Sequence, residues 1–256
     1  MTAVIPSAPG KEATQKVAIV TGGSRGIGRA VAGRLAVDGA RVVVNYRSDR
    51  AAAEKLVVDI EDDGGQAVAV QADVADPEQL RSLFDVAEES FGQLDILVNN
   101  AGIGRFSTIA EASDEDFDAL FATHTRATFV ALREAANRLR DGGRIVVVSS
   151  GQTVVVRPAS GLYAASKAAG DQLVRVLAHE LGPRKITVNS VLPGPTRTDG
   201  YTRQAGNENI ADQVAALTPL GRLGEPGDIA DTVAFLTSES GGWITGQAIH
   251  AGGGLF

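Results

Sequence analysis

There is no cysteine among the 256 residues. That excludes disulfides, thiolate nucleophiles and cysteine-based metal sites at once. Histidine occurs only at His124, His179 and His250, too scattered to suggest a zinc cluster. Positive charge is also scarce. Twenty-four basic residues face 31 acidic ones, for a formal net charge of −7. A concentrated positive surface for nucleic acid or an anionic membrane is therefore not expected, although a local pocket for one phosphate is compatible with this balance. No apolar run approaches the length needed to span a bilayer. The first fifteen residues, MTAVIPSAPGKEATQ, have neither a basic start nor an apolar core. They read as a frayed, flexible tail over 1–15 rather than a signal peptide. A cytoplasmic protein is the expectation.

What is present fits one globular domain over 16–256. The chain is long enough for one well-covered core and marginal for two, and it has no linker-like stretch. Short β-branched runs recur at Val17–Thr21, Val42–Tyr46, Ala67–Gln71, Asp95–Asn99, Arg144–Ser149 and Ile186–Val191. Continuous apolar strands of this kind belong to sheets covered on both faces. Helix-like stretches lie between them, including Ile27–Val37, Pro77–Ser90 and one long stretch, Ser113–Leu139. Asp76 before Pro77 reads as a helix cap followed by proline in the first turn. The alternation predicts an α/β fold with a parallel sheet and right-handed crossovers. Residues 193–220, irregularly punctuated, are expected to form a substrate flap.

The segment TGGSRGIG, Thr21–Gly28, follows the first strand and opens the first helix. Glycines permit a tight turn and close approach, while the helix start aims free N–H groups at a pyrophosphate. Gly22, Ser24, Arg25, Gly26, Ile27 and Gly28 are candidate dinucleotide-binding residues. After the second strand, where NAD binders usually carry an acid, this chain has Asn45, Tyr46, Arg47 and Ser48. Arg25 and Arg47 can meet around a 2′-phosphate, whose geometry suits guanidinium forks. NADP(H) is the expected cofactor.

Tyr163 and Lys167 in YAASK stand one helical turn apart. A free tyrosine titrates near pH 10, and a nearby ammonium together with an oxidised nicotinamide is expected to lower that value for acid–base work. Ser150 closes the fifth strand, where a hydroxyl faces the ligand crevice of such a sheet.

As an ordered set, TGGSRGIG, Asp73-Val74, NNAG at 99–102, Ser150, YAASK and PGPTRT at 193–198 resemble the short-chain dehydrogenase/reductase family, as do LGRLGEPGDIA and TGQ near the end. The likeness covers nearly the whole chain, and among members it points toward NADPH-dependent 3-oxoacyl-carrier-protein reductases and aldehyde or ketone reductases. It implies a single doubly wound Rossmann-type domain with a seven-stranded parallel sheet, usually assembled as a homotetramer or homodimer, the tetramer being favoured. It also implies Tyr163 as the acid–base residue and Ser150 as donor to the substrate oxygen, with Lys167 on the nicotinamide ribose. Asp73 and Val74 would lie by the adenine. Asn100, Ala101 and Gly102 would pass the adenine ribose, and Pro193, Gly194, Thr196 and Thr198 would flank the nicotinamide end.

Two positions depart from that family. Its usual helix asparagine is replaced by His124 in Phe121–Phe129, and its closing Asp-Gly-Gly by Ala251-Gly252-Gly253. A neutral imidazole can donate and accept through its two nitrogens, so His124 can carry the asparagine's proton relay, with an acid limb near pH 6.5; the alternative is a packed helix residue with both its hydrogen bonds satisfied. The expected activity is hydride transfer between NADP(H) and a carbonyl or alcohol, chiefly reduction of a ketone, aldehyde or 3-oxoacyl group. A sugar or polyol dehydrogenase and a non-enzymatic NADP(H)-binding regulator are the alternatives.

Overall fold

The structure is a computed structural model that describes residues 15–200 and 208–256. Strands and helices alternate from the start. The chain runs β1 (Val17–Val20), α1 (Gly26–Val37), β2 (Arg41–Tyr46), α2 (Arg50–Asp62), β3 (Gln66–Gln71), α3 (Pro77–Phe91) and β4 (Ile96–Asn99). After α4 (Asp114–Leu120) and α5 (Ala127–Arg138) come β5 (Arg144–Val148), α6 (Gly161–Leu181), β6 (Thr187–Pro193), α7 (Glu208–Leu217), α8 (Pro226–Thr237) and β7 (Ala248–Ala251). All seven strands are parallel, in the order β3-β2-β1-β4-β5-β6-β7.

Strand alternation sorts the core into two layers. Val17, Ile19, Val43, Leu97, Ile145 and Val147 pack with Leu80, Phe84, Ala131 and Val174 from α3, α5 and α6. Their neighbours Ala18, Val20, Val42, Val44, Val98 and Val146 face Val31, Leu35, Ile60 and Val233 from α1, α2 and α8. Because both faces are covered, the strands carry few polar residues. The chain order reverses between β1 and β4, and the crevice beyond their carboxyl ends is where a doubly wound sheet receives a ligand.

Asp76 caps α3 as expected, accepting hydrogen bonds from the Glu78 and Gln79 amides ahead of Pro77. The helical stretch expected over Ser113–Leu139 is present, running from Asp114 to Arg138, but it is not uniformly α-helical. A π-helical turn, Phe121–Arg126, separates α4 from α5 and holds His124. Inserting such a turn leaves the apolar spacing largely intact, so the pattern gave no warning of it. Strand β7 is four residues of mixed polarity and was not singled out from its pattern. Apart from residue 15, the expected N-terminal tail lies outside the described residues, as do 201–207 of the 193–220 flap. The rest of the flap contains the end of β6 and helix α7.

Candidate active site

The turn between β1 and α1 is held by a small polar network at the point where the strand order reverses. Thr21 Oγ1 accepts from the Asn100 and Ala101 amides (2.9 and 3.0 Å) and donates to Asn99 Oδ1 (3.3 Å). Asn100 Nδ2 donates to the carbonyls of Thr21 and Gly22. On the other side, Asn45 Oδ1 accepts from the Gly22 amide (3.0 Å), while Asn45 Nδ2 donates to the Ala72 carbonyl (2.9 Å). These bonds clamp the glycine turn between β2 and β4. Gly28 sits so close to it that a Cβ would lie 2.2 Å from the Gly22 carbonyl oxygen. No side chain caps the start of α1, so its first N–H groups point toward the crevice.

That crevice opens into a cleft of about 1000 Å³. Every residue assigned to the site from the sequence lines it, from Gly22 through Tyr46, Ser48, Asp73, Val74 and Gly102 to Pro193, Gly194, Thr196 and Thr198, with one exception. His124 is buried behind the wall. Arg25 and Arg47 are exposed at one end, and neither guanidinium has a partner among the described residues. Their positive charge beside an uncapped helix start, next to a turn that admits no side chain, is a set of donors suited to the phosphates of a dinucleotide.

At the other end, β5 delivers Ser150 and the first turns of α6 deliver Tyr163 and Lys167. The Gln152 amide donates to Ser150 Oγ (3.2 Å), which fixes the short turn after the strand. Burial pushes the Tyr163 phenol above its usual range, and its hydrogen bond with Ser150 partly opposes that. Lys167 contributes no lowering of its own to this balance. Lys167 Nζ donates to the Val148 carbonyl (2.9 Å). Burial drops the lysine to about 8, with Asp171 acting in the opposite sense.

His124 differs from its expected role. The Ser166 hydroxyl donates to the Tyr163 carbonyl (2.8 Å), so its oxygen accepts from His124 Nδ1 (2.8 Å). His124 Nε2 in turn accepts from the Ile103 amide (3.0 Å). Both ring nitrogens are thus committed, the ring is neutral, and it ties the loop after β4 to the tyrosine-bearing helix. Burial, and then the nearby Lys167, lower it to about 3. The acid limb expected near pH 6.5 has no basis here.

Ile103, Phe106, Gln152, Val155, Val214 and Phe256 line the substrate end of the cleft. Sequence reasoning pointed to part of that end, through the 193–220 flap that carries Val214 and the segment after Gly151 that carries Gln152 and Val155, but missed Ile103, Phe106 and Phe256. The Phe106 ring lies 4.9 Å from that of Tyr163. The Phe256 ring occupies the space that side chains at Gly151 and Gly252 would need, with Cβ positions 2.3 and 2.5 Å away. The glycine-rich stretch before Phe256 was the only local signal, and it does not say where the ring goes.

The comparisons agree with this geometry. The family model described as enoyl-(acyl carrier protein) reductase matches residues 22–256. The chain belongs to the short-chain dehydrogenase/reductase family. Among its relatives is an NADPH-dependent aldehyde reductase-like chloroplastic protein of Arabidopsis thaliana, 45% identical over 93% of each chain. Versicolorin reductase of Emericella nidulans is 43% identical, covering 94% of this chain and 96% of its own. A short-chain dehydrogenase from Burkholderia cenocepacia J2315, solved with NADP, superposes with a TM-score of 0.89 at 43% identity, covering 94% of this chain and 98% of its own. This family's doubly wound, seven-stranded fold is the one described above.

Proposed function

We propose that this protein is an NADP(H)-dependent oxidoreductase that reduces a carbonyl, namely a ketone, aldehyde or 3-oxoacyl group, to the alcohol. The observation that carries the reading is a proton-bearing Tyr163, hydrogen-bonded to Ser150, in the cleft that also holds two uncommitted arginines and the glycine turn. The reductases and the NADP complex among the relatives support it.

Arg25 and Arg47 bind the 2′-phosphate, and the Gly22–Gly28 turn receives the pyrophosphate. Asp73, Val74 and Asn100 to Gly102 hold the adenosine half, and Pro193, Gly194, Thr196 and Thr198 the nicotinamide half. The nicotinamide supplies the hydride. Ser150 Oγ and Tyr163 Oη hold the substrate oxygen and polarise its carbonyl. Tyr163 gives up its proton as negative charge develops on that oxygen, and Lys167 holds the nicotinamide ribose. His124 does not exchange protons in this scheme. It keeps the loop carrying Ile103 in register with α6.

The reading extends to a cytoplasmic homotetramer. Phe129 and Val176, each about half-exposed, and the fully exposed Trp243 offer apolar surface for subunit contacts. Light scattering and cell fractionation test those two points. The enzyme reading is tested by following NADPH absorbance against ketones, aldehydes, acyl thioesters and sugars. Oxidation of sugars without reduction of any carbonyl would replace it, and thermal stabilisation by NADPH without turnover would indicate a sensor.

A further inference from the structure

Asp171 is a buried acid that the catalytic scheme does not use. It lies on α6 one turn beyond Lys167, with 7% of its surface exposed. Ser149, at the end of β5, donates to its Oδ2 (2.9 Å). Its Oδ1 is buried without any hydrogen-bond partner. A carboxylate in that setting is costly to desolvate unless a nearby positive charge offsets it. No ion pair within 4 Å supplies one among the described residues. The cation within reach is Lys167, whose own ammonium is tethered to the Val148 carbonyl, one residue before Ser149.

We propose that Asp171 is a positioning residue for the catalytic lysine: its carboxylate, anchored by Ser149, is the counter-charge that keeps Lys167 an ammonium in the cleft. Two consecutive residues at the end of β5 thus place the pair, Val148 through its carbonyl and Ser149 through its hydroxyl. The charges act on each other through space across one helical turn, where the surroundings screen them weakly. The other titratable groups around Lys167 are Tyr163 on the same helix and His124 on the π turn. Both are neutral, and the His124 ring is held so by its two hydrogen bonds. The strand end and the loop opposite contribute Val148, Ser149, Ser150 and Asn100 to Gly102, none of which carries charge. On the neighbouring elements, β6 carries Ser190 on the same face as the core residue Val188, and Thr128 of α5 lies beside Gly170, the residue before Asp171. Asp171 is therefore the only nearby negative charge among the described residues. The inference rests on the role given to Lys167 above.

The test titrates Lys167 directly. In the cofactor-free protein, the rate of acylation at Lys167 is followed against pH by mass spectrometry with a small amine-reactive ester. The wild type should show half-maximal reactivity near pH 8. Removing the negative charge makes the ammonium less stable, so Asp171→Asn should move that midpoint down by about one pH unit, a tenfold change in the proton equilibrium. Asp171→Glu should restore most of it. Asp171→Ser makes the same prediction as asparagine if that variant does not fold. In NADPH-dependent reduction, the alkaline limb of kcat/KM should move with the labelling midpoint. Unmoved midpoints in a folded neutral variant overturn the inference. Turnover failing with every carbonyl, while the midpoints shift, fails the functional reading and leaves the charge pairing standing.

Discussion

The two ends of the cleft are built in different ways. The end facing Arg25 and Arg47 is made largely from one continuous segment, Thr21–Gly28, braced by the neighbouring strand ends. Its working parts are backbone amides and exposed guanidiniums. The end around Tyr163 draws on the end of β5, the start of α6, the loop after β4, helix α7 and the last residue of the chain. Its working parts are half-buried side chains whose proton affinities depart from their usual values. A phosphate is recognised by donors that a short motif can carry by itself. Proton transfer needs groups whose environment has been altered, and only neighbours distant in sequence can do that.

The sharpest way to separate the two ends is Tyr163→Phe. It keeps the ring beside Phe106 and removes the transferable proton, so turnover should fall by about 10²- to 10⁴-fold while NADPH still binds. Stopped-flow reduction and NADPH titration on the same preparation check this, and substantial residual turnover would take Tyr163 out of the mechanism. At the opposite end, Arg25→Ala or Arg47→Ala should weaken NADPH by roughly 10- to 100-fold, because each charge-assisted bond to phosphate is worth about 1.5–3 kcal/mol. NADH affinity should barely move; equal losses for both cofactors would show that these arginines do not read the 2′-phosphate.

His124 sharpens the comparison through stability. An unfolded chain takes up the histidine proton near pH 6.5, but the folded chain resists until about 3. The stabilisation is complete above 6.5 and is lost as the pH falls toward 3. Between pH 7 and pH 5 the loss from this group should be about 2 kcal/mol. His124→Asn lacks that pH-dependent part, so denaturant melts at the two pH values should differ less for the variant than for the wild type. Its kcat profile should superimpose on the wild type near pH 6.5; a histidine limb there would revive the relay. The smallest effect is expected from Gly151→Ala. The new methyl overlaps the Phe256 ring and forces it aside at about 1 kcal/mol, the low end of overpacking costs. KM for bulky ketones should change several-fold, with NADPH affinity unaltered. Loss of NADPH binding would mean that the two ends are mechanically coupled.

Most of the fold was legible because its signals are local. Six of the seven strands appear as β-branched runs, and five of those begin and end within one residue of the observed bounds. The sixth, β6, runs two residues further, to Pro193. Strand β7 escaped because AIHA is short and alternates polarity weakly. The π turn escaped because one widened turn leaves the apolar pattern of α4 and α5 in place. Asn45 was read as a cofactor contact, yet its amide is spent on Gly22 and Ala72, so it braces the site that it lines.

The sequence by itself determined the glycine turn, the arginine pair, the order of the strands along the chain, and the identity of Ser150, Tyr163 and Lys167. Each depends on residue type and short spacing, which the chain states directly. Tertiary structure alone decided that burial raises the proton affinity of Tyr163, that His124 is a neutral strut, that Asp171 lies one turn beyond Lys167 and that Phe256 closes the substrate end. These follow from burial and from partners up to 105 positions away, as Phe256 is from Gly151. Proton affinity and cavity shape are properties of surroundings, and the surroundings exist only once the sheet has brought those segments together.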